Sequence, residues 1–594
     1  IQEYLEYGLH GFALSRYSGC WVAFKALTDT VETSSSVEVD PFSVRTLIPS
    51  ADEFPLPLDG LNLRWPDPPL VQEERLLHHK LYAALAYCRK NGLDRTVIDS
   101  SQARLGIITS GKSYLDVRQA LDDLGIDEAT AAAIGLRLYK VGMVWPLDAE
   151  GVRRFADGLD EILVIEEKRQ FLEYQLKEEL YNWKDAVRPR VIGKFDEKGE
   201  WAQPHGQWLL PAAGELTPAM IARAIAGRIA RFHTSDRIKA RLAFIEAKEA
   251  ALARPRLSIQ RVPHYCSGCP HNSSTKVPQG SRAIAGIGCH YMATWLSPEH
   301  TQTFCQMGGE GVPWIGQAPF TATPHVFANL GDGTYMHSGI LAIRAAVAAK
   351  VNITYKVLYN DAVAMTGGQQ VGERPEGHSV LQIQKSLIAE GVGKLVIVTD
   401  EPQKYGGVAL EAGVTVHHRD ELDTIQRQFR ELPGCTAIIY DQTCATEKRR
   451  RRKRGKMATP AKTVVVNELV CEGCGDCSVQ SNCLSVEPVE TEFGRKRRIN
   501  QNTCNKDFSC VKGFCPSFVT VEGGTLKKAK KETRGDLSSL PPLPEPSLPL
   551  AEAAWGIVVG GVGGTGVITI GQLLGVAAHL EGRVVAELRP AGAV

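Results

Sequence analysis

Seven of the fifteen cysteines lie between Cys471 and Cys515. Cys471, Cys474 and Cys477 stand at two-residue intervals, Cys483, Cys504 and Cys510 follow, and Cys515-Pro516 closes the run. Thiolates spaced this way wrap a loop around a [4Fe–4S] cubane, and in cluster pairs of this kind the Cys-Pro ligand arrives from the other run. Cluster one is therefore assigned Cys471, Cys474, Cys477 and Cys515. The second run is defective: Cys504, Cys510 and Cys515 fill its first, third and fourth positions, and Asp507 stands in the second. Cluster two keeps Cys483, Cys504 and Cys510 with, at best, the carboxylate of Asp507. A hard oxygen donor holds iron less firmly than thiolate does, so a labile or three-iron cluster is expected there. Zinc fits less well, because a zinc ribbon expects two separated CxxC pairs. Disulfides do not suit a chain without a visible secretion signal, and the cytoplasm is the expected location.

A second constellation is built on oxygen. His325 to Leu330 reads as a strand, Gly331-Asp332-Gly333 turns out of it, and a helix is predicted from about Met336 to Lys350. The next strand, Asn352 to Tyr359, ends at Asn360-Asp361-Ala362. Asp332 and Asn360 thus fall at the carboxyl edge of a parallel sheet, where α/β ligands bind. With a main-chain carbonyl they make an oxygen site suited to Mg²⁺ bearing a diphosphate. The helix N-terminus and glycine amides can take the phosphate oxygens. Gly-Asp-Gly alone also suits an unliganded strand–turn–helix, and Thr366-Gly367-Gly368-Gln369 soon afterwards makes the pattern more specific.

The elements that must position these residues are repeatedly α/β. Arg104 to Ser110 is a short apolar strand followed by a helix over Ser113 to Leu124, and Glu161 to Ile165 is another strand. Such alternation predicts parallel sheets covered on both faces. At 594 residues the chain holds several domains, and 68 basic against 67 acidic residues give no reason to expect nucleic acid or an anionic membrane as partner. Trp555 to Leu580 carries no charged side chain, but its clustered glycines favour a strand, a turn and a helix over a membrane span. Pro41 to Pro69 and Lys527 to Pro549 read as extended linkers. Lys448 to Lys456, almost all Lys and Arg, reads as a solvated linker or as a docking patch for an acidic electron carrier. The glycines at Gly561, Gly563 and Gly566, with Glu587 beyond them, also fit a dinucleotide turn.

The stretch from Asn360 to Gln369, NDAVAMTGGQ, together with Gly331-Asp332-Gly333, resembles the thiamine-diphosphate motif of the 2-oxoacid:ferredoxin oxidoreductases. The resemblance covers nearly the whole chain and is closest to the indolepyruvate branch, in its long bacterial form that fuses both subunits. It implies that Asp332, Asn360 and the Ala362 carbonyl ligate Mg²⁺, with Gly331, Gly333, Thr366 and Gly367 beside the cofactor. Cys266-Ser267-Gly268-Cys269-Pro270-His271 looks like the family's loop next to the thiamine ring, which brings in Cys269 and His271. The turns holding Gly288 and Gly308 look like two more cofactor-facing segments.

By the same resemblance the chain divides into the end of a pyrimidine-binding domain (1–40), a linker and helical connection (41–95), a transketolase C-terminal-like domain (96–250) and the thiamine diphosphate domain (251–447). A basic linker (448–462), a ferredoxin-like domain (463–524), a Pro/Lys-rich linker (525–552) and the start of a gamma domain (553–594) follow, the last making a nicotinamide site there unnecessary. The chain begins at Ile1 and stops soon after a strand-like Arg583 to Leu588, which is expected of a fragment. The family's activating glutamate would lie upstream, so no catalytic residue is assigned.

The function implied is oxidative decarboxylation of an aryl 2-oxoacid, of the indolepyruvate or phenylpyruvate type, to an acyl-CoA. Coenzyme A is then the co-substrate, ferredoxin the electron partner and a homo-oligomer the expected assembly. Thiamine supplies the decarboxylation chemistry, and clusters in the same polypeptide withdraw electrons singly. A non-oxidative thiamine decarboxylase or carboligase would leave the clusters idle, and a non-catalytic ferredoxin-like protein would leave Asp332 and Asn360 without a role.

Overall fold

A computed structural model describes residues 2–31, 37, 40, 42–62, 64–200, 207–252, 262–372, 377–524, 557, 559 and 567–582. The chain forms two compact units, Ile1–Ser258 with Leu548–Pro590, and Ile259–Ser547 with Ala591–Val594. The predicted Lys527 to Pro549 linker, the glycines Gly561 to Gly566 and Glu587 lie outside the described residues.

The first unit is centred on a five-stranded sheet of β1 (Arg95–Ile98), β2 (Leu105–Ser110), β3 (Leu136–Val141), β4 (Glu161–Ile165) and β5 (Arg190–Ile192). Their order is β1-β3-β2-β4-β5. All neighbours are parallel except β1 and β3. β2 and β4 are buried almost throughout, as near-continuous apolar runs demand of strands covered on both faces. Ile107, Leu163 and Ile165 pack into one core with the helices Gly111–Asp123 and Pro218–Ile229, whereas Ile108, Ile162 and Val164 pack into another with Ala149–Ala156 and Leu172–Tyr181. No described helix is long and apolar enough to cross a membrane.

The second unit holds an all-parallel seven-stranded sheet: β6 (Arg282–Ala285), β7 (Thr301–Phe304), β8 (Val326–Gly331), β9 (Ile353–Tyr359), β10 (Lys394–Thr399), β11 (Thr415–His418) and β12 (Cys435–Asp441). The order β11-β10-β12-β9-β8-β6-β7 places β8 and β9 side by side. A smaller module follows, in which β13 (Lys462–Val466) pairs antiparallel with β16 (Phe518–Glu522), and β14 (Val486–Thr491) forms a hairpin with β15 (Gly494–Ile499).

Two sequence expectations change here. The helix after β8 begins at Asp332 itself, and its next turn, Tyr335–Gly339, is a π-helix before Ile340–Ala349 continues as α. The first part of the basic run, expected as linker, is helical: Ala445–Lys453 is a helix. Arg and Lys are good helix formers, and several of these cations find partners on neighbouring segments instead of repelling one another.

Candidate cofactor and cluster sites

β8 and β9 run in register with Gly331 opposite Leu358, so Asp332 and Asn360 emerge just beyond the carboxyl ends of adjacent strands. Asp332 is 3% exposed. Its Oδ2 accepts from the N–H groups of Asn360 at 2.9 Å and Asp361 at 3.1 Å, and its Oδ1 accepts from Gly333 N–H at 2.9 Å. Burial pushes the carboxyl up to about 6, against the pull of those three donors. The buried Asn360 takes the Ala362 N–H on Oδ1 at 3.2 Å. Beyond it, Val363 N–H donates to the Gln369 carbonyl at 2.8 Å and Gly368 N–H to the Val363 carbonyl at 3.0 Å, which folds the Thr366-Gly367 turn back on itself. That turn requires left-handed backbone at Gly367 (φ 119°) and Gly368 (φ 79°).

The residues fit a magnesium diphosphate. The donors are hard oxygens on neighbouring strand ends, as Mg²⁺ prefers. Buried polar atoms around them are also unspent: both amide atoms of Asn329, Oε1 of Glu310 and Nε2 of His290 have no hydrogen-bond partner. Unpaired buried groups are expensive, and a polar ligand is the ordinary way to satisfy them. Glu310 is fully buried; its Oε2 accepts from Gly308 N–H at 2.7 Å, and burial raises its pKa. Gly286 leaves the space this carboxylate needs, since a Cβ there would lie 2.6 Å from Oε1.

Gly288 and Gly331 meet at His290, whose Cε1 would be 2.8 Å and 3.4 Å from a Cβ on each. His290 stands edge-on to His271, with ring centroids 5.8 Å apart. His271 Nδ1 pairs with Ser274 Oγ at 3.1 Å. Burial holds His271 down at about 3, helped by His290 and Lys356, and holds His290 down at about 4. Both rings are therefore neutral at physiological pH. The Gly288, Gly308, His271 and Asp332 segments are thus brought to one edge of the sheet.

Sequence reasoning missed a group of thiols beside this edge. The half-buried Cys269 has its pKa raised first by desolvation and then by Cys266, Cys289 and Cys444, so these four share one neighbourhood. Burial likewise raises Cys289 to about 11, reinforced by Cys444 and Cys266. The CxxC spacing of Cys266 and Cys269 was the only local signal, because the other two arrive from distant strand ends.

In the smaller module Cys471 and Cys474 lie in the loop after β13 and Cys477 on the helix Asp476–Ser481. Burial raises the Cys477 thiol; Ser478 N–H and Arg497 oppose the shift, and Cys471 and Cys474 reinforce it. Cys510 is pushed up to about 12 by burial and by Cys483 and Cys504. Cys477 thus lies within electrostatic reach of Cys471 and Cys474, and Cys510 within reach of Cys483, Cys504 and Cys477. Cys515 Sγ contacts Ser517 Oγ at 2.9 Å. Among the described residues no three His, Cys, Asp or Glu side chains converge as they would on a single ion. A cubane asks for something different, since each thiolate binds its own iron. Asp507 has other partners: Arg419 Nη1 donates to Oδ1 at 2.5 Å, Gln442 Nε2 donates to the same oxygen at 3.1 Å, and Ser509 Oγ donates to Oδ2.

Comparison with known proteins fits this geometry. Residues 94–255 match the indolepyruvate ferredoxin oxidoreductase middle domain, and residues 286–439 match the C-terminal TPP-binding domain of thiamine pyrophosphate enzymes. Over these segments the chain is similar to the indolepyruvate oxidoreductases. It is 25% identical over 437 residues to indolepyruvate oxidoreductase subunit IorA of Thermococcus kodakarensis, covering 70% of this chain and 60% of that one. Against the IorA subunit of Methanothermobacter marburgensis the identity is 23% over 536 residues, covering 87% and 75%. The chain thus spans about three fifths of the length of the Thermococcus relative. A solved 2-oxoglutarate:ferredoxin oxidoreductase from Magnetococcus marinus overlaps 28% of this chain and 24% of its own at 19% identity, with a TM-score of 0.19, too low to support any comparison of shape. The segment matched to the thiamine pyrophosphate enzymes includes Asp332 and Asn360.

Proposed function

We propose that this chain carries the thiamine diphosphate and electron-transfer parts of an enzyme that oxidatively decarboxylates an aryl 2-oxoacid to its acyl-CoA, with ferredoxin as electron acceptor. The observation that favours an oxidative reaction is the proximity of the two sites. A Cβ on Gly268, in the loop between Cys266 and Cys269, would lie 3.0 Å from Cβ of Asp507 and 3.2 Å from Cβ of Asn505, both between Cys504 and Cys510. A non-oxidative thiamine enzyme has no use for cysteine-rich loops in such contact.

In this reading Asp332, Asn360 and the Ala362 carbonyl hold Mg²⁺, and the glycine amides at the start of the Asp332 helix hold the diphosphate. Thiamine diphosphate supplies the electron sink for decarboxylation when bound. The neutral, buried His271 and His290 offer nitrogen atoms that donate or accept hydrogen bonds without adding charge. Cys471, Cys474, Cys477 and Cys515 provide four thiolates for cluster one, and Cys483, Cys504 and Cys510 provide three for cluster two. The soft donors Cys266, Cys269, Cys289 and Cys444 suit a further iron–sulfur group beside the thiamine edge.

The test is anaerobic turnover of the full polypeptide with aryl 2-oxoacids and a low-potential dye. Dye reduction that needs thiamine diphosphate, substrate and coenzyme A together is the expected result. Release of CO₂ without dye reduction would overturn the oxidative reading.

A further inference from the structure

Asp507 occupies the place of a cluster ligand and has the contacts of a tether. The Asp507 side chain is 14% exposed and that of its partner Arg419 is 9% exposed. Arg419 grips the residue twice, donating from Nη1 to the carboxylate at 2.5 Å and from Nη2 to the Asp507 carbonyl at 2.8 Å. A planar guanidinium bonded to both the side chain and the main chain of one residue fixes its orientation as well as its position. Gln442 adds its amide at 3.1 Å and Ser509 its hydroxyl. Arg419 directly follows β11 and Gln442 directly follows β12, so both donors stand at the carboxyl edge of the seven-stranded sheet.

Neighbouring contacts hold the same loop. Asn505 Nδ2 donates to the Ala445 carbonyl at 2.8 Å, and Arg452 Nη1 donates to the Asn505 carbonyl at 2.9 Å. Gly268 (φ +67°) lets the Cys266–Cys269 loop lie flat against Asp507 and Asn505, where any side chain would press on both. For Asp507 to bind iron it would have to leave Arg419, and an uncompensated, largely buried guanidinium is strongly unfavourable.

We propose that Asp507 is a positioning residue, which latches the Cys504–Cys510 loop to the sheet edge and so against the Cys266–Cys269 loop, and that it is not an iron ligand. This rests on the reading of Cys483, Cys504 and Cys510 as cluster ligands. It explains why aspartate stands where the run would place its second cysteine: a thiol at 507 could not accept these three donors. The latch sets the separation between the thiamine edge and the second cluster.

The full chain, purified anaerobically, tests this with Asp507→Asn, Asp507→Cys and Arg419→Met, and with Arg419→Lys as the milder change. Iron and sulfide content and the electron paramagnetic resonance of the reduced protein report the clusters; hydrogen exchange at 266–270 and 504–510 reports the latch. Asp507→Asn and Arg419→Met should keep the iron content and cluster signals of the unmodified protein while exchange in both peptides rises about tenfold or more. Arg419→Lys should raise it less. Loss of one cluster in Asp507→Asn, or a three-iron signal in the unmodified protein that Asp507→Cys removes, would overturn the proposal by making Asp507 a ligand. Unchanged exchange in Arg419→Met would overturn it by removing the latch. If the unmodified protein binds no iron at these cysteines, the cluster reading fails while the exchange measurement still decides the latch.

Discussion

At the end of β4, Glu166 gives its carboxylate to the N–H groups of Phe171 at 3.0 Å, Leu172 at 2.8 Å and Glu173 at 3.1 Å. At the end of β8, Asp332 also accepts three N–H groups, and burial raises both carboxyls. The two acids are locally alike, each at the carboxyl end of a strand with parallel neighbours, and differ in their surroundings. Beside Glu166, the buried Lys194 donates to the carbonyls of Glu166 at 2.5 Å and Pro211 at 3.2 Å, so cation and carboxylate satisfy the folds of the same chain. Around Asp332 four polar atoms, both amide atoms of Asn329, Oε1 of Glu310 and Nε2 of His290, remain unspent, against Oε1 of Gln170 in the loop after Glu166, and Gly286 and Gly288 hold back the Cβ atoms that would crowd them. A carboxylate at a strand end is therefore weak evidence of a ligand. Unspent hydrogen-bonding capacity beside it is stronger.

The sharpest separation of the two edges is by alanine substitution at each acid. Asp332→Ala should weaken thiamine diphosphate binding by about 10²- to 10³-fold, the consequence of losing a buried, fully hydrogen-bonded charge that in the proposed reading also ligates the metal. Calorimetric titration with thiamine diphosphate and Mg²⁺ measures it. Glu166→Ala should leave that affinity unchanged and lower stability by about 2 to 3 kcal/mol, through three unpaired N–H groups at a helix start. Equal effects on binding would erase the distinction.

Backbone clearance separates the cysteine loops in the same way. Gly473, between Cys471 and Cys474, has φ +72°, and a Cβ there would run into the Arg495 carbonyl on β15. Gly473→Ala should cost about 2 to 3 kcal/mol locally, from strain and collision together. Iron bound by the Cys471 loop should fall while thiamine diphosphate binding stays intact. Retention of all iron would show that this loop yields without loss.

Much of both sites was legible because it is local. Gly331-Asp332-Gly333 and Asn360 announce strand ends through apolar runs that stop at glycine or a polar residue, and β8 and β9 fall within a residue of the expected bounds. The Cys471–Cys477 spacing likewise sits in one loop and one short helix. What escaped depended on distant partners. Arg449 reaches the Asn502 carbonyl at 2.8 Å and Arg452 reaches Asn505, which turns an apparently solvated charge run into a helix bridging two segments. Cys289 and Cys444 join Cys266 and Cys269 only through the order of strands in the sheet. Asp507 shows the limit most clearly, since its place in a motif suggested iron and its partners lie on β-strand ends far earlier in the chain.

A pH experiment sharpens the contrast within the second unit. Lys356 on β9 is fully buried, donates to the carbonyls of Ser274 at 2.7 Å and Lys276 at 3.2 Å, and is pushed by burial from 10.5 down to about 7. Between those values the unfolded chain binds the proton and the folded chain does not, so stability rises with pH across the window from about 7 to about 10. The slope contributed is at most about 1.4 kcal/mol per pH unit. Lys356→Met should flatten this rise in denaturant-unfolding midpoints. A slope that survives the substitution would assign the titration elsewhere.

The smallest effect should come from the rim of the cofactor edge. Arg451 pairs with Asp361 at 2.8 Å, and Arg450 Nη1 donates to the Gly367 carbonyl at 2.8 Å, so the basic helix holds the loop from Asn360 to Gly367 at two points. Asp361 sits at φ 62°, a left-handed conformation that the pair with Arg451 helps to keep. These side chains are partly exposed, and such pairs are worth about 0 to 1 kcal/mol. Arg451→Ala should therefore weaken thiamine diphosphate by only about two- to fivefold, and the deficit should shrink further in the unmodified protein's comparison at high salt, where the ion pair is screened. Cluster signals should not change, because Arg451 has no bond to the cysteine loops. A loss as large as that of Asp332→Ala would mean that the rim, rather than the strand ends, organises the site.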